Sequence, residues 1–189
     1  SAKDTIEPIL KNKRLSKFID WLLSLSLAYG NDDYLMVHAG IAPSWSSELT
    51  KKLSNEVKIE LNKNPKIFLK KMYGNLPNLW DRNLKKDDRL RFAVNTMTRM
   101  RTLEQDGAID FSFKNDLAAL PSNLIPWYLY PAKPRKEFIL SGHWSAIGIQ
   151  HYARGVTLDS GCVWGMKLSA YSFDDKKIIS IDADQRDLI

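Results

Sequence analysis

His38 and His143 stand in the same setting, each at the end of a short apolar run and each close to a glycine: Tyr34-Leu-Met-Val-His-Ala-Gly40 and Phe138-Ile-Leu-Ser-Gly-His143. An apolar strand that meets a glycine can turn sharply and aim the side chain at its end into a shared cleft. Neutral imidazole is the commonest metal ligand, so two such residues brought to one rim are candidate metal ligands. A histidine in this position serves equally well as a hydrogen-bonded core residue. Cations supply the second kind of chemistry: Arg82, Lys85, Lys86, Arg89, Arg91, Arg99 and Arg101 form a dense basic segment. Lys85, Lys86 and Arg89 read as the wet face of a helix. Arg99 and Arg101 fall where that helix gives way to the next strand, a position from which a guanidinium can fork onto phosphate oxygens. Trp80, Trp144 and Trp164 each adjoin a turn or a candidate site residue, and each either fills the core or offers a stacking wall to a nucleobase. Histidine ligands with arginines point to metal-assisted phosphoester hydrolysis, in which two cations clamp the phosphate and activate water. Two histidines cannot hold two metals; His151 and Asp159 are the nearby residues that would add donors.

The elements that must position these residues follow from periodicity. Residues 5–28 read as a core-facing helix, with Leu15, Phe18, Ile19, Leu22 and Leu23 on one stripe and Lys11, Lys13, Arg14 and Lys17 near the other side. The His38 strand follows Gly30-Asn-Asp-Asp. A second helix begins at Ser46 or Ser47 under a serine cap, with Leu49, Leu53, Val57 and Leu61 in register. Asn64-Pro65 ends it and starts a third, which closes at Gly74. Asp87 to Met100 carries Leu90, Ala93, Val94 and Met97 on one face. Asp106-Gly107 marks a hairpin. Pro121 to Pro134 is an irregular crossing before the His143 strand. Gly155 to Asp159 reads as a strand, Ser160-Gly161 as a turn, and Leu168 to Phe173 with Ile178 to Ile181 as a hairpin. Helices come early, strands late, and sheet ends bring distant loops together.

Composition bounds the rest. A chain of 189 residues with 44% hydrophobic residues, six Trp, seven Tyr and seven Phe supports one domain with a core. No run approaches the ~18 apolar residues of a membrane span. The single cysteine, Cys162, excludes an internal disulfide and a thiolate cluster, and with the absence of a signal-peptide pattern in Ser1-Ala-Lys-Asp it gives a cytoplasmic location as the expectation. The net charge of +6 favours an anionic partner.

Five stretches in order carry a resemblance: Met36 to Pro43, Met72 to Trp80, Leu90 to Arg101, Ser141 to Trp144, and Leu158 to Gly165. Together they resemble the symmetrical bis(5′-nucleosyl)-tetraphosphatases, bacterial hydrolases among the calcineurin-like metallophosphoesterases. The resemblance implies an α+β fold, part of a β-sandwich flanked by helices that is four layers, α/β/β/α, in the complete family fold. It implies two divalent metals, manganese or cobalt, with His38 and His143 on one of them. Arg99 then becomes the catalytic grip on phosphate, with Arg101, Trp80 and Trp144 beside it on the substrate. The expected reaction is symmetric hydrolysis of diadenosine tetraphosphate to two ADP. The alternatives are removal of nucleoside-tetraphosphate caps from RNA 5′ ends and a non-enzymatic nucleotide or RNA binder. A protein phosphatase fits the superfamily but not Met72 to Trp80 or Thr98 to Arg101. The family's opening motifs, G-D-x-H-G, G-D-L-x-x-R-G and G-N-H-D, do not occur here, and Ser1 to Leu10 resembles the region just after the last of them. The expectation is a single domain, residues 1–189, equivalent to the C-terminal two thirds of a family member. By itself it would be inactive and prone to aggregate through uncovered apolar surface.

Overall fold

The computed structural model describes residues 5–187; Ser1 to Asp4, the start of the stretch set beside the third missing motif, lie outside the described residues. Helices and strands mix in an α+β arrangement whose centre is a five-stranded sheet in the order β1-β2-β6-β8-β7. Strands β2 (Tyr34–Val37), β6 (Phe138–Ser141) and β8 (Gly155–Thr157) run parallel, and β1 (Ala28–Gly30) and β7 (Gln150–Tyr152) close the edges antiparallel. Parallel neighbours need a long crossover. Between β2 and β6 the chain therefore runs through three helices and a small sheet, formed by β3 (Thr102–Leu103), β4 (Ile109–Asp110) and β5 (Ile125–Pro126).

The N-terminal helical pattern divides into α1 (Glu7–Leu10) and α2 (Leu15–Ser24), and β1 begins at Ala28, the last residue of the expected helix. Neither helix buries a residue. The expectation of a core-facing helix is corrected here: the stripe exists, but Phe18, Ile19 and Leu22 are 43%, 45% and 56% exposed. Helix α2 leans on α3 (Ser47–Lys63) through polar bonds, Asn62 Nδ2 to the Leu23 carbonyl at 3.0 Å and Lys58 Nζ to that of Ser24.

The crossover helices form as their caps and spacing direct. Ser46 Oγ accepts the Leu49 N–H at 3.1 Å and starts α3; Asn64 Oδ1 accepts the Ile67 N–H at 3.1 Å and starts α4 (Pro65–Met72). Helix α5 (Lys86–Arg99) buries Leu90, Phe92, Ala93, Val94 and Met97. These join Leu53, Val57, Trp45, Leu35 and Ile139 in one apolar cluster between the helices and the sheet. The outer cations of α5 are paired rather than free, Arg89 with Glu56 and Lys86 with Glu60, both at 2.7 Å. The Asp106-Gly107 turn joins β3 and β4 antiparallel, with Gly107 at φ +89°. The C-terminal hairpin, β9 (Lys167–Ser172) and β10 (Lys177–Asp182), packs Tyr171 on Phe138 and Phe173 on Tyr34. Among the described residues, no helix is long and apolar enough to cross a membrane.

Candidate active site

Because β2 and β6 are parallel neighbours with Met36 opposite Leu140, their C-terminal ends lie side by side. His38 leaves the first and His143 the second, and the Gly142 N–H donates to the His38 carbonyl at 2.8 Å. The C-terminal edge of parallel strands is where open α/β sheets place their ligands. His38 Nε2 lies 3.2 Å from His143 Nδ1, with ring centroids 5.0 Å apart.

The backbone sets which nitrogen carries each proton. His143 Nε2 lies 3.2 Å from the Arg99 carbonyl, which can only accept, so this nitrogen is protonated and Nδ1 of the neutral ring keeps its lone pair. That lone pair faces His38, whose Nε2–H donates to it. Both rings are held neutral. His143 is pushed down to about 4, by burial first, then by Arg101 and His38, against the opposing Arg99 hydrogen bond and Asp159. His38 is lowered as well, by burial first, with Asp159 opposing and Arg101 reinforcing. His143 also adopts φ +68°, a left-handed backbone that costs a non-glycine residue about 1 kcal/mol or more and recurs at functional sites.

Two nitrogens bound ~2.0–2.1 Å from one ion at tetrahedral to octahedral angles stand about 2.8–3.4 Å apart. The observed 3.2 Å falls in that range, and a hydrogen bond from the second ring nitrogen to a carbonyl is the usual support of a ligating imidazole. Sharing an ion requires only that His38 carry its proton on Nδ1. The pair thus fits as half of a ligand set. Among the described residues, no group of three or more His, Cys, Asp or Glu is placed to hold a metal. Asp159 comes nearest, two residues beyond β8, but its Oδ1 accepts the Gly161 N–H at 3.1 Å. His151 lies exposed on the edge strand β7.

The two arginines differ. Arg99 ends α5 half-buried, with Nη1 donating to Asn95 Oδ1 and Nη2 to Asn75 Oδ1, both at 2.9 Å, and its guanidinium 4.5 Å from the centre of the Phe111 ring. It stands at the helix-to-strand junction as expected and is anchored there. Asn95 is 1% exposed and also donates to the Gly74 carbonyl at 2.8 Å, which stitches the 73–76 loop to the helix. Arg101 is partly buried, bears electrostatically on both imidazoles, and forms no side-chain hydrogen bond or ion pair with the described residues. Sequence reasoning missed the two asparagines; an amide four residues before an arginine on one helix is the local signal that was available.

The tryptophans also part. Trp144 is 3% exposed, its ring set edge-on to Phe113 at 6.0 Å and its indole N–H donating to the Asn115 carbonyl at 2.9 Å. With no ring face open to a base, the stacking expectation for Trp144 is corrected to a core role. Trp80 is half-buried, edge-on to Trp45 at 5.0 Å, and borders an open cavity. That cavity does not include the histidines, so Trp80 is not brought together with them. Trp164 is 73% exposed beyond β8.

No family model matches the chain. Three curated proteins, each named "Bis(5′-nucleosyl)-tetraphosphatase, symmetrical", do. The one from Janthinobacterium sp. (strain Marseille) is 40% identical over 186 residues, 97% of this chain and 68% of its own length. That of Nitrosomonas europaea is 37% identical over 180 residues, 94% of this chain and 67% of its own. That of Chromobacterium violaceum is 40% identical over 180 residues, 94% of this chain and 65% of its own. The chain thus spans about two thirds of the length of these relatives. Identity at this level over nearly the whole chain establishes kinship, and the chain belongs to the symmetrical bis(5′-nucleosyl)-tetraphosphatase family.

Proposed function

We propose that this chain supplies half of a metal site for the symmetric hydrolysis of a dinucleoside tetraphosphate, diadenosine tetraphosphate giving two ADP. The observation that carries it is the pair of neutral imidazoles, nitrogen facing nitrogen at 3.2 Å, on the C-terminal ends of adjacent parallel strands. In hydrolysis, water adds to one of the two central phosphorus atoms, the central P–O–P bridge breaks, and the departing ADP takes up a proton. A divalent ion on His38 and His143, manganese or cobalt and one of two in the complete site, would supply Lewis-acid polarisation of a phosphate oxygen. The chain's own residues do the rest of the positioning. The Arg99 carbonyl fixes the His143 tautomer, and Arg101, whose guanidinium makes no hydrogen bond or ion pair with the described residues and feels Asp159 only electrostatically, takes a phosphate oxygen. Arg99, held by two asparagines, places its charge from the side. Two imidazoles leave an ion short of the four to six donors it prefers, so the chain alone is expected to bind metal weakly and turn over slowly.

The test is ADP release from diadenosine tetraphosphate with Mn²⁺, using this chain and a chain extended to the length of its relatives. The extended protein should be active and lose at least ~10²-fold in kcat/KM on His38→Ala or His143→Ala. Turnover within about threefold of the parent in both variants would remove the metal assignment. RNA ends capped with a nucleoside tetraphosphate present the same anhydride, and direct competition between the two substrates ranks them.

A further inference from the structure

We propose that the cavity of about 190 Å³ between the segment 127–135 and the β7–β8 turn binds a small organic carboxylate. Ile41, Trp127 and Ile139 are among its apolar walls, and Lys133, Arg135 and Arg154 supply its charge. Neither histidine of the candidate active site borders it, nor does Arg99 or Arg101. Arg135 carries the argument. Its Nη2 donates to the Ala42 and Trp45 carbonyls, both at 2.9 Å, and its Nε is buried without a hydrogen-bond partner among the described residues. Two neutral carbonyls hold a guanidinium in place but do not neutralise it. Glu137 acts on Arg135 only through space, and its buried carboxylate is already taken by the Ser47 hydroxyl at 2.7 Å. Burial accordingly pushes the Arg135 guanidinium down from its ordinary value, with Tyr152 and Glu137 opposing. A charge withdrawn from water is normally paired, and Arg135 forms no ion pair with the described residues.

The lining selects the ligand. One half-buried guanidinium is matched by one negative charge, and apolar walls are matched by an apolar body. A carboxylate offers two oxygens and a single charge, whereas phosphate brings more of both than this lining satisfies. The aromatic wall is set beforehand. Tyr128 and Tyr152 stack at 5.2 Å, and Trp127 stands edge-on to them at 6.0 and 5.9 Å. Gly155 admits Tyr152 to this place, since a methyl group there would lie 2.5 Å from its Oη. The Tyr128 hydroxyl is buried in the same wall without a partner among the described residues, and burial raises its pKa, so it remains a donor. Side chains already fixed lose little freedom when a ligand enters, which removes much of the usual entropic cost of binding. Lys133 and Arg154 are exposed, and neither forms an ion pair with the described residues. Their field draws an anion toward the cavity.

The test uses benzoate as the probe. Titrated at constant ionic strength into the ¹⁵N-labelled chain, it should shift the Trp127 indole and Ala153 amide signals saturably. Benzyl alcohol, of similar size but uncharged, should bind at least ~10-fold more weakly, and so should benzoate to Arg135→Gln, each case losing a charge-assisted interaction. Ala153 is exposed and lines the cavity, so Ala153→Trp should fill it and abolish the saturable shift of the Trp127 indole while leaving the circular dichroism of the parent. The inference falls if benzoate produces no saturable shift, or if benzyl alcohol or inorganic phosphate binds as tightly as benzoate. It falls equally if folded Arg135→Gln or Ala153→Trp binds benzoate as tightly as the parent. Arg135 also ties down the loop that holds Ala42 and Trp45; if its replacement unfolds the chain, Ala153→Trp and the two control ligands still decide. The titration involves neither metal nor turnover, so its outcome is independent of the hydrolase assignment.

Discussion

Helices α2 and α3 carry the same kind of apolar stripe, and only one of them is covered. In α3, Leu53 and Val57 are 1% and 4% exposed beneath α5 and the sheet. In α2, Trp21 and Leu22 are 59% and 56% exposed, and the outer side chains Tyr29 of β1 and Met36 of β2 are 64% and 37% exposed. Periodicity reports that a helix has an apolar face; it does not report what lies against it. The molecule divides accordingly into a packed half, α3 to α5 with the C-terminal strand ends and the histidine pair, and an uncovered half of α1, α2 and the nearby sheet edge. Contiguous apolar surface of this kind marks an interaction site or an aggregation hazard.

The largest effect should come from the packed half. Leu53→Ala is expected to cost ~2–5 kcal/mol in urea unfolding, whereas Leu22→Ala should stay within about 0.5 kcal/mol. Equal costs would mean that α2 is covered in solution. Next come the arginines, which test whether the packed half also separates function from stability. In the extended, active protein, Arg101→Ala should reduce kcat/KM by at least ~10²-fold, about 2.7 kcal/mol, with the melting temperature nearly unchanged. Arg99→Ala should lower stability by about 1–3 kcal/mol, because it removes the charged partner of Asn75 and Asn95. A rate loss without a stability loss for Arg99 would reverse the two roles.

The smallest effect is the pH dependence of the site. His143 titrates near 4 in the folded chain and near 6.5 when unfolded. Between those values the unfolded chain takes up a proton that the folded ring refuses, so stability should fall as pH drops from about 6.5 to about 4, and no further below. Partial solvent exposure of the ring keeps the effect modest. The check is the urea midpoint at pH 7, 5 and 4 beside an NMR titration of the imidazole. A His143 midpoint near 6.5 in the folded chain would mean that its ring is not buried beside Arg101 as the structure has it.

Much of the fold was legible because its signals are local. The serine cap of α3, the Asn64-Pro65 break, the Asp106-Gly107 turn and the β9–β10 hairpin each depend on residues close in the chain, and all formed. The short edge strand β1 was not read as a strand, since three residues are too few for a period of two to declare itself, and its first residue, Ala28, closed the expected helix. The burial of Trp144 and the anchoring of Arg99 were not legible because exposure at an element's end depends on whatever packs across it, here Phe113 for the first and Phe111 with two asparagines for the second.

What the sequence alone determined is that two histidines each close an apolar strand beside a glycine, and that Arg99 and Arg101 stand where a helix ends; chain chemistry and spacing suffice for that. Only the tertiary structure decided that β2 and β6, with three helices between them, lie as parallel neighbours in matched register. That pairing converts two similar strand ends into one site, and it brings the Arg99 carbonyl to His143 and so selects the ring nitrogen that keeps its lone pair. Register follows from which face of each strand is buried, and for strands this far apart in the chain no tight turn fixes the pairing in advance.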